Sequence, residues 1–255
     1  MNLASRIIDG NPSIPVGGLQ CQLRGGSDMN EQLISAGVVV DLAFPVTPVG
    51  NSDAILPVDH AYPLFAALCR IVPELHGDRH VGIHPIPGRL LGQRRMLVNR
   101  WARLTLRVPV DRLGSFVKIA GHVLDLEGTR LAVGPPDVRA LRPSPALRSR
   151  LVVIRGFTEP EPFLEAVHAQ LTALGIVDAR VRLVPRRAAR PWERDGQGGQ
   201  GPWVRRTVRI RDREIVGYAL DVEDLTPADS LLLQAVGIGG RRRFGCGLFL
   251  PRREA

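Results

Sequence analysis

From Gly37 onwards the chain runs twice through one order of elements, strand-helix-strand-strand-helix-strand. In the first pass "GVVVDLAF" is a β-branched strand ended by Pro45. "VDHAYPLFAALCRIV" follows with Asp59 as N-cap; Leu64, Phe65, Leu68, Ile71 and Val72 share one face at helical spacing, and Pro73 stops the helix. After a His- and Gly-rich loop come strands at about Arg89–Val98 and Trp101–Val108. A helix in "VDRLGSFVKIAG" aligns Val110, Leu113, Val117 and Ala120, and a hairpin then turns at Glu127-Gly128. In the second pass "RLVVIRG" is a strand, and "TEPEPFLEAVHAQLTALG" is a helix opened by a Thr158/Glu161 capping box and closed by Gly175. "ARVRLVP", "WVRRTVRI" and "REIVGYAL" are strands, with a turn at Asp212. "TPADSLLLQAVG" is a helix with Thr226 at N-cap and Pro227 behind it, and "GLFLP" is the last strand. Two such units in succession predict an α+β protein of two tandem ferredoxin-like (RRM-like, βαββαβ) domains, 37–145 and 150–255, the second carrying a C-terminal glycine-rich loop. The Pro/Arg-rich "GPPDVRALRPSPALRSR" reads as the linker, and residues 1–36, without periodicity, as an N-terminal extension.

Lys and Arg together number 34 against 25 Asp and Glu, a net charge of +9, and Lys118 is the only lysine. Such a surplus points to a polyanionic partner. No apolar run approaches the roughly 18 residues that span a membrane, and the N-terminus lacks a signal-peptide core, so no membrane partner and a cytoplasmic location are expected. Cys21, Cys69 and Cys246 form no CxxC pair and read as reduced thiols.

The stretch "GIGGRRRFGCGLFLP" places its glycines after a helix and before a strand, the reverse of a Walker or Rossmann phosphate cradle. A helix C-cap followed by a bulged strand entry would explain Gly237 and Gly245. It leaves unexplained why Gly237, Gly239, Gly240, Gly245 and Gly247 surround Arg241, Arg242 and Arg243. Glycines admit a phosphate backbone closely and guanidinium groups hold it, so an RNA-binding loop is the favoured reading. Arginine also alternates along two strands. Arg103, Thr105 and Arg107 lie opposite Leu104, Leu106 and Val108, while Arg205, Thr207 and Arg209 lie opposite Val204, Val208 and Ile210. Arg103, Arg205 and Arg209 are RNA-binding candidates, with a merely solvated sheet face as the rival reading. Nine arginines between Arg186 and Arg213 add to the positive footprint. Only 5% of residues are aromatic, which suits a structured stem-loop better than stacked single strands.

His76, His80 and His84 recur at four-residue spacing, but Gly77, Gly82 and Pro85 forbid the long helix that would align them on a metal. No metal or other cofactor is expected. His60 and His76, at the two ends of the first helix, are candidates for metal-free general acid–base chemistry on RNA.

These residues resemble a known family. "GIGGRRRFGCG" fits the G-h-G-x5-G-h-G loop (h, hydrophobic) of the RAMP-superfamily CRISPR repeat-processing endoribonucleases. "VVVDLAFPV", "LPVDHAYPLFAAL", "PELHGDRHVGIHPIPG" and "IVGYALDV" are similar, in order, to its MYXAN subtype. The resemblance implies two tandem ferredoxin-like domains and metal-independent cleavage of precursor CRISPR RNA at the base of the repeat hairpin. The 2′-hydroxyl attacks, leaving a 2′,3′-cyclic phosphate and a 5′-hydroxyl. It implies repeat stem-loop RNA as partner, with CRISPR effector-complex subunits where the enzyme keeps its product; a non-catalytic RNA-binding subunit is the alternative. It places the catalytic histidine at His76, with His60 second. Cys69 stands where some members carry an assisting tyrosine, which leaves that role to an arginine such as Arg79 or Arg89.

Overall fold

The computed structural model describes residues 38–50, 54–186 and 201–252. The expected extension over 1–36 and most of the Arg/Gly/Pro-rich loop before "WVRRTVRI" lie outside them. The N-terminal half runs β1 (Val39–Pro48), β2 (Ala54–Pro57), α1 (Ala61–Ile71), β3 (Gly82–Ile83), β4 (Arg89–Gly92), β5 (Arg95–Val98), β6 (Arg103–Pro109), α2 (Leu113–Val117), β7 (Val123–Leu126), β8 (Thr129–Val133) and β9 (Asp137–Ala140). The C-terminal half follows with β10 (Leu147–Val152), α3 (Pro160–Ala173), β11 (Arg180–Leu183), β12 (Arg205–Ile210), β13 (Arg213–Glu223), α4 (Pro227–Val236) and β14 (Phe249–Pro251).

The first large sheet has the order β3-β6-β1-β8-β7 with β9 also on β1; the second has β11-β13-β10-β14 with β12 also on β13. All pairings are antiparallel. In each half the first strand is therefore central, and the strand that precedes the second helix lies beside it. Alternation explains the burial: Val40, Leu42, Phe44 and Val46 of β1 and Leu104, Leu106 and Val108 of β6 all point into one core with Leu64, Phe65 and Leu68 of α1. Leu151, Val153, Val208, Phe244 and Cys246 of the C-terminal half belong to the same cluster, so the first core is closed by residues of the second half. No described helix is long and apolar enough to cross a membrane.

Several local expectations change. Pro45 does not end β1; it falls in the gap where β1 passes from β9 (Val40–Ala43) to β8 (Val46–Pro48), so its missing N–H interrupts no ladder there. Part of the presumed linker is β9, a strand of the first sheet. Arg89–Val98 is a hairpin, turning through positive φ at Gln93 and Arg94 and pairing with β2 in a separate three-stranded sheet. The second helix shrinks to five residues behind a 3-10 turn; it buries Phe116, and Ile119 is buried just beyond its end, while Val110 and Val117 are 40% and 44% exposed. Asp59 does not cap α1: its carboxylate accepts the Arg209 N–H at 2.5 Å, across the two halves. Nor does Thr158 cap α3, which begins at Pro160 behind Glu159. The Thr226 hydroxyl does accept the Asp229 N–H at the start of α4, and the Glu127-Gly128 turn stands as expected.

One side chain fixes how the halves meet. Arg107, expected on an outward stripe, is fully buried. Its Nε and Nη2 donate to both oxygens of Asp41 at 2.8 and 2.9 Å, and its Nη1 donates to the carbonyls of Gln234 (2.9 Å) and Phe249 (2.8 Å) in the other half. Arg107→Ala would strand a carboxylate and two main-chain carbonyls. It is expected to destabilise the protein by about 3–5 kcal/mol, read from the chemical denaturation midpoint. A loss below about 1 kcal/mol would mean that the halves are held elsewhere.

Candidate nucleic-acid interface and catalytic cleft

The glycine loop begins where α4 ends, with Gly237 at φ 74° and its N–H on the Leu233 carbonyl. The last carbonyls of a helix lack intrahelical donors and form its negative end. Here arginines supply the donors: Arg107 serves Gln234, and Arg242 serves Ala235 at 2.7 Å and Val236. Arg242 is 9% exposed and its guanidinium is engaged with these carbonyls, although it still borders the cavity beside the loop.

The glycines are mostly spent inside the protein as well. A Cβ on Gly237 would run into the Gly247 carbonyl, and one on Gly247 into the Ile238 carbonyl, because the two G-h-G arms cross backbone to backbone. The hydrophobic residue of each arm, Ile238 and Cys246, is buried in the crossing. Gly239 abuts the Val153 carbonyl and Gly245 abuts Pro85. Only Gly240 of the five faces open space, and it stands beside the exposed Arg241 at the tip of the loop. The glycine pattern thus builds the loop, and its tip is what a ligand meets.

Arg243 ties that loop to the N-terminal half. Its guanidinium donates to the carbonyls of Leu75 and His76 and lies 5.3 Å from the centre of the Phe65 ring. His76 closes a 3-10 turn (Pro73–His76), is exposed, and sets its ring 6.1 Å from Phe65, which packs on Phe244 of the loop at 4.8 Å. The candidate catalytic histidine therefore stands against the glycine loop, although 161 or more residues separate the two in sequence.

His60 does not share this position. It is 2% exposed, and the Ile86 N–H donates to its Nε2 at 3.0 Å. That bond places the ring proton on Nδ1, 3.0 Å from the Pro57 carbonyl, so both nitrogens are committed to holding the chain. Burial lowers its pKa. His60 thus stands apart from His76, with its ring engaged in holding the chain, although it borders the inter-sheet cleft that the arginines line. His84 is likewise internal: burial first, then Arg107, pull its pKa down to about 4. Among the described residues no group of three His, Cys, Asp or Glu is placed to hold a metal ion, and the four-residue histidine spacing sends His84 inward while His76 and His80 face out.

Between the loop and the turn after His76 lies a cavity of about 340 Å³ whose wall includes Arg79, His80 and Arg241. A second cleft, of about 630 Å³, opens between the two sheets and is lined by Arg103, Arg139, Arg148, Arg150 and Arg206. Of the strand arginines picked from sequence, Arg103 is in this cleft; Arg205 and Arg209 are not among its lining. Arg206 takes that place, because alternation along β12 sends it to the opposite face from its neighbours. Arg148 and Arg150 were hidden in the presumed linker; the alternation of "LRSRLV" is the signal that exposes them.

His60 and His84 are both held neutral by burial, so the fold binds fewer protons than the unfolded chain. Stability should be fully present above their ordinary value of 6.5 and should fall as pH drops towards 4, measurable as an acid shift in melting temperature. Gly247→Ala should cost about 2–4 kcal/mol by pushing the loop arms apart, whereas Gly240→Ala should leave thermal stability unchanged.

Residues 40–254 match the family described as "Cas6 Crispr". The chain is 35% identical over 218 residues to the CRISPR-associated endonuclease Cas6 of Myxococcus xanthus (strain DK1622), covering 86% of this chain and 84% of that relative. It is similar in fold to a solved "CRISPR associated protein Cas6" (TM-score 0.57, 8% identity, 84% of this chain and all of that one). It is also similar to the structure from "Characterization of a Cas6-related gene from Pyrococcus furiosus" (TM-score 0.57, 13% identity, 86% and 100%). At such identities the structures show the fold alone, an α+β arrangement of antiparallel sheets. The family match and the Myxococcus relative together carry the assignment: the chain belongs to the Cas6 family of CRISPR-associated endonucleases.

Proposed function

We propose that the protein cuts precursor CRISPR RNA within each repeat without a metal ion, by attack of a 2′-hydroxyl on the adjacent phosphate, in the cytoplasm, with effector-complex subunits as partners only where it keeps its product. Family membership supports the endoribonuclease reading. The observation that carries the mechanism is the contact of Arg243, a residue of the glycine loop, with the main chain of His76. It joins the surface that would hold a repeat hairpin to an exposed imidazole that makes no side-chain hydrogen bond to the described residues. The common strand order of the two sheets supports two tandem ferredoxin-like domains, 37–145 and 150–255, facing each other across the Arg107 junction.

In this reading the tip formed by Gly240 and Arg241 receives the hairpin backbone, and the arginines of the inter-sheet cleft, Arg103 among them, hold flanking phosphates. Arg205, half-buried on β12, and the exposed Arg209 extend the positive face. His76 acts as general base or general acid at the scissile ribose-phosphate. A nearby guanidinium stabilises the charge that develops on the phosphorane, a preorganised donor aimed at the transition state.

The test is single-turnover cleavage of labelled repeat hairpin in EDTA, with a 2′-deoxy substrate as control. Wild-type protein should cut the ribose substrate and leave the deoxy one intact. His76→Ala should lose about 10²–10⁴-fold in rate while binding the hairpin within about threefold of wild type. Binding without cleavage by the wild-type protein would instead favour a non-catalytic RNA-binding subunit.

A further inference from the structure

The cavity between the glycine loop and the turn after His76 is walled by Arg79, His80, Gln170, Gly239, Gly240 and Arg241. Residues from three places in the chain meet there, and two of the arginines are exposed side chains. The turn that carries His80 is held firmly. Asp78, 7% exposed, accepts the N–H of His80 at 2.7 Å and that of Val81 at 3.1 Å on one oxygen, and Arg112 pairs with the other. This clamp acts on the backbone only. The imidazole of His80 makes no hydrogen bond to the described residues and is exposed, the opposite of His60. Arg243 also borders the cavity and is the side chain that grips the His76 carbonyl. Arg89, by contrast, sits on the exposed β4 hairpin and does not reach this wall.

We infer that His80, on the cavity wall, is the second proton-transfer group of the reaction, dividing the work with His76, which stands outside that wall beyond Arg243, around a ribose-phosphate seated at the cavity's mouth; the inference rests on the RNA-cleaving reading above. In-line displacement places the attacking 2′-oxygen and the departing 5′-oxygen at opposite apices of the phosphorane. A proton therefore leaves on one side while another arrives on the far side, a task for two groups. One neutral imidazole takes the 2′-hydroxyl proton as the 2′-oxygen–phosphorus bond forms. The other, as imidazolium, gives its proton to the 5′-oxygen as the phosphorus–5′-oxygen bond breaks. The phosphorus–3′-oxygen bond stays, the products are the cyclic phosphate and the 5′-hydroxyl, and no water is consumed. Arg79 and Arg241 are placed to hold the non-bridging oxygens.

A sulfur-for-oxygen exchange at the leaving position tests this. A repeat hairpin RNA with a single 5′-phosphorothiolate at the cut releases a thiolate, which departs without being protonated, so loss of the general acid ceases to matter. His80→Ala and His76→Ala should each lose at least about 100-fold on the ordinary RNA with binding kept within about threefold. On the thio substrate one of the two variants, and only one, should recover to within about tenfold of wild type. A His80→Ala protein within about threefold of wild type on ordinary RNA would overturn the inference, as would identical responses of the two variants to the thio substrate. If the wild-type protein cuts neither RNA in EDTA, the cleavage reading itself falls; if it cuts and His80→Ala keeps its rate, only the role of His80 does.

Discussion

The buried guanidinium of Arg107 is the interaction on which the arrangement of the site depends. A charge wholly removed from water must have its donors met, and Arg107 meets them with two oxygens from its own sheet and two carbonyls from the other half. Bidentate geometry with Asp41 fixes the plane of the fork, so the C-terminus of α4 and the start of β14 have little freedom in how they dock. Arg242 completes the arrangement from within the C-terminal half by serving the next two carbonyls of α4. The negative end of one helix is thus neutralised by two arginines, one from each half, and the glycine loop is launched from that point.

From there the loop serves two purposes with different residues. Its glycine arms cross at distances that exclude any Cβ, which makes the crossing a rigid base. Its tip, Gly240 and Arg241, is left to solvent, and Arg243 turns back to hold the His76 segment through Phe65 and two carbonyls. The exposed Gly240–Arg241 tip and the exposed His76 are in this way brought onto one framework. Preorganisation of this kind is what transition-state stabilisation asks of a fold.

Much of this architecture is legible in the sequence because local physics decides it. The alternation of β1 and β6, the apolar stripe of α1, the Thr226 cap and the Glu127-Gly128 turn depend on neighbours within a few residues. Where the sequence misled, the deciding partner was distant. Asp59 has the right type and place for a cap but is drawn to the Arg209 N–H, 150 residues away. Residues 137–140 look like linker because Pro and Arg surround them, yet the free edge of β1 recruits them as a strand. The short second helix, Leu113–Val117, buries only Phe116, and Gly114 in its interior weakens any longer run.

The sequence by itself determined which residues form the core faces, where the chain must turn, that a glycine-rich and arginine-rich loop follows the last helix, and that His76 follows the first. Only the tertiary structure decided which side chains remain free to act. His60, Arg107 and Arg242 carry the right chemistry for an RNA site, but all three are consumed in binding main-chain or buried groups. His80 and Arg206, less conspicuous in the chain, line cavities with side chains that make no hydrogen bond to the described residues. The physical reason is that the type of a side chain is local, whereas its availability is set by whatever the fold brings against it, and partners as unlike as the Pro57 carbonyl for His60, the Val236 carbonyl for Arg242 and the Phe249 carbonyl for Arg107 leave no periodicity to read.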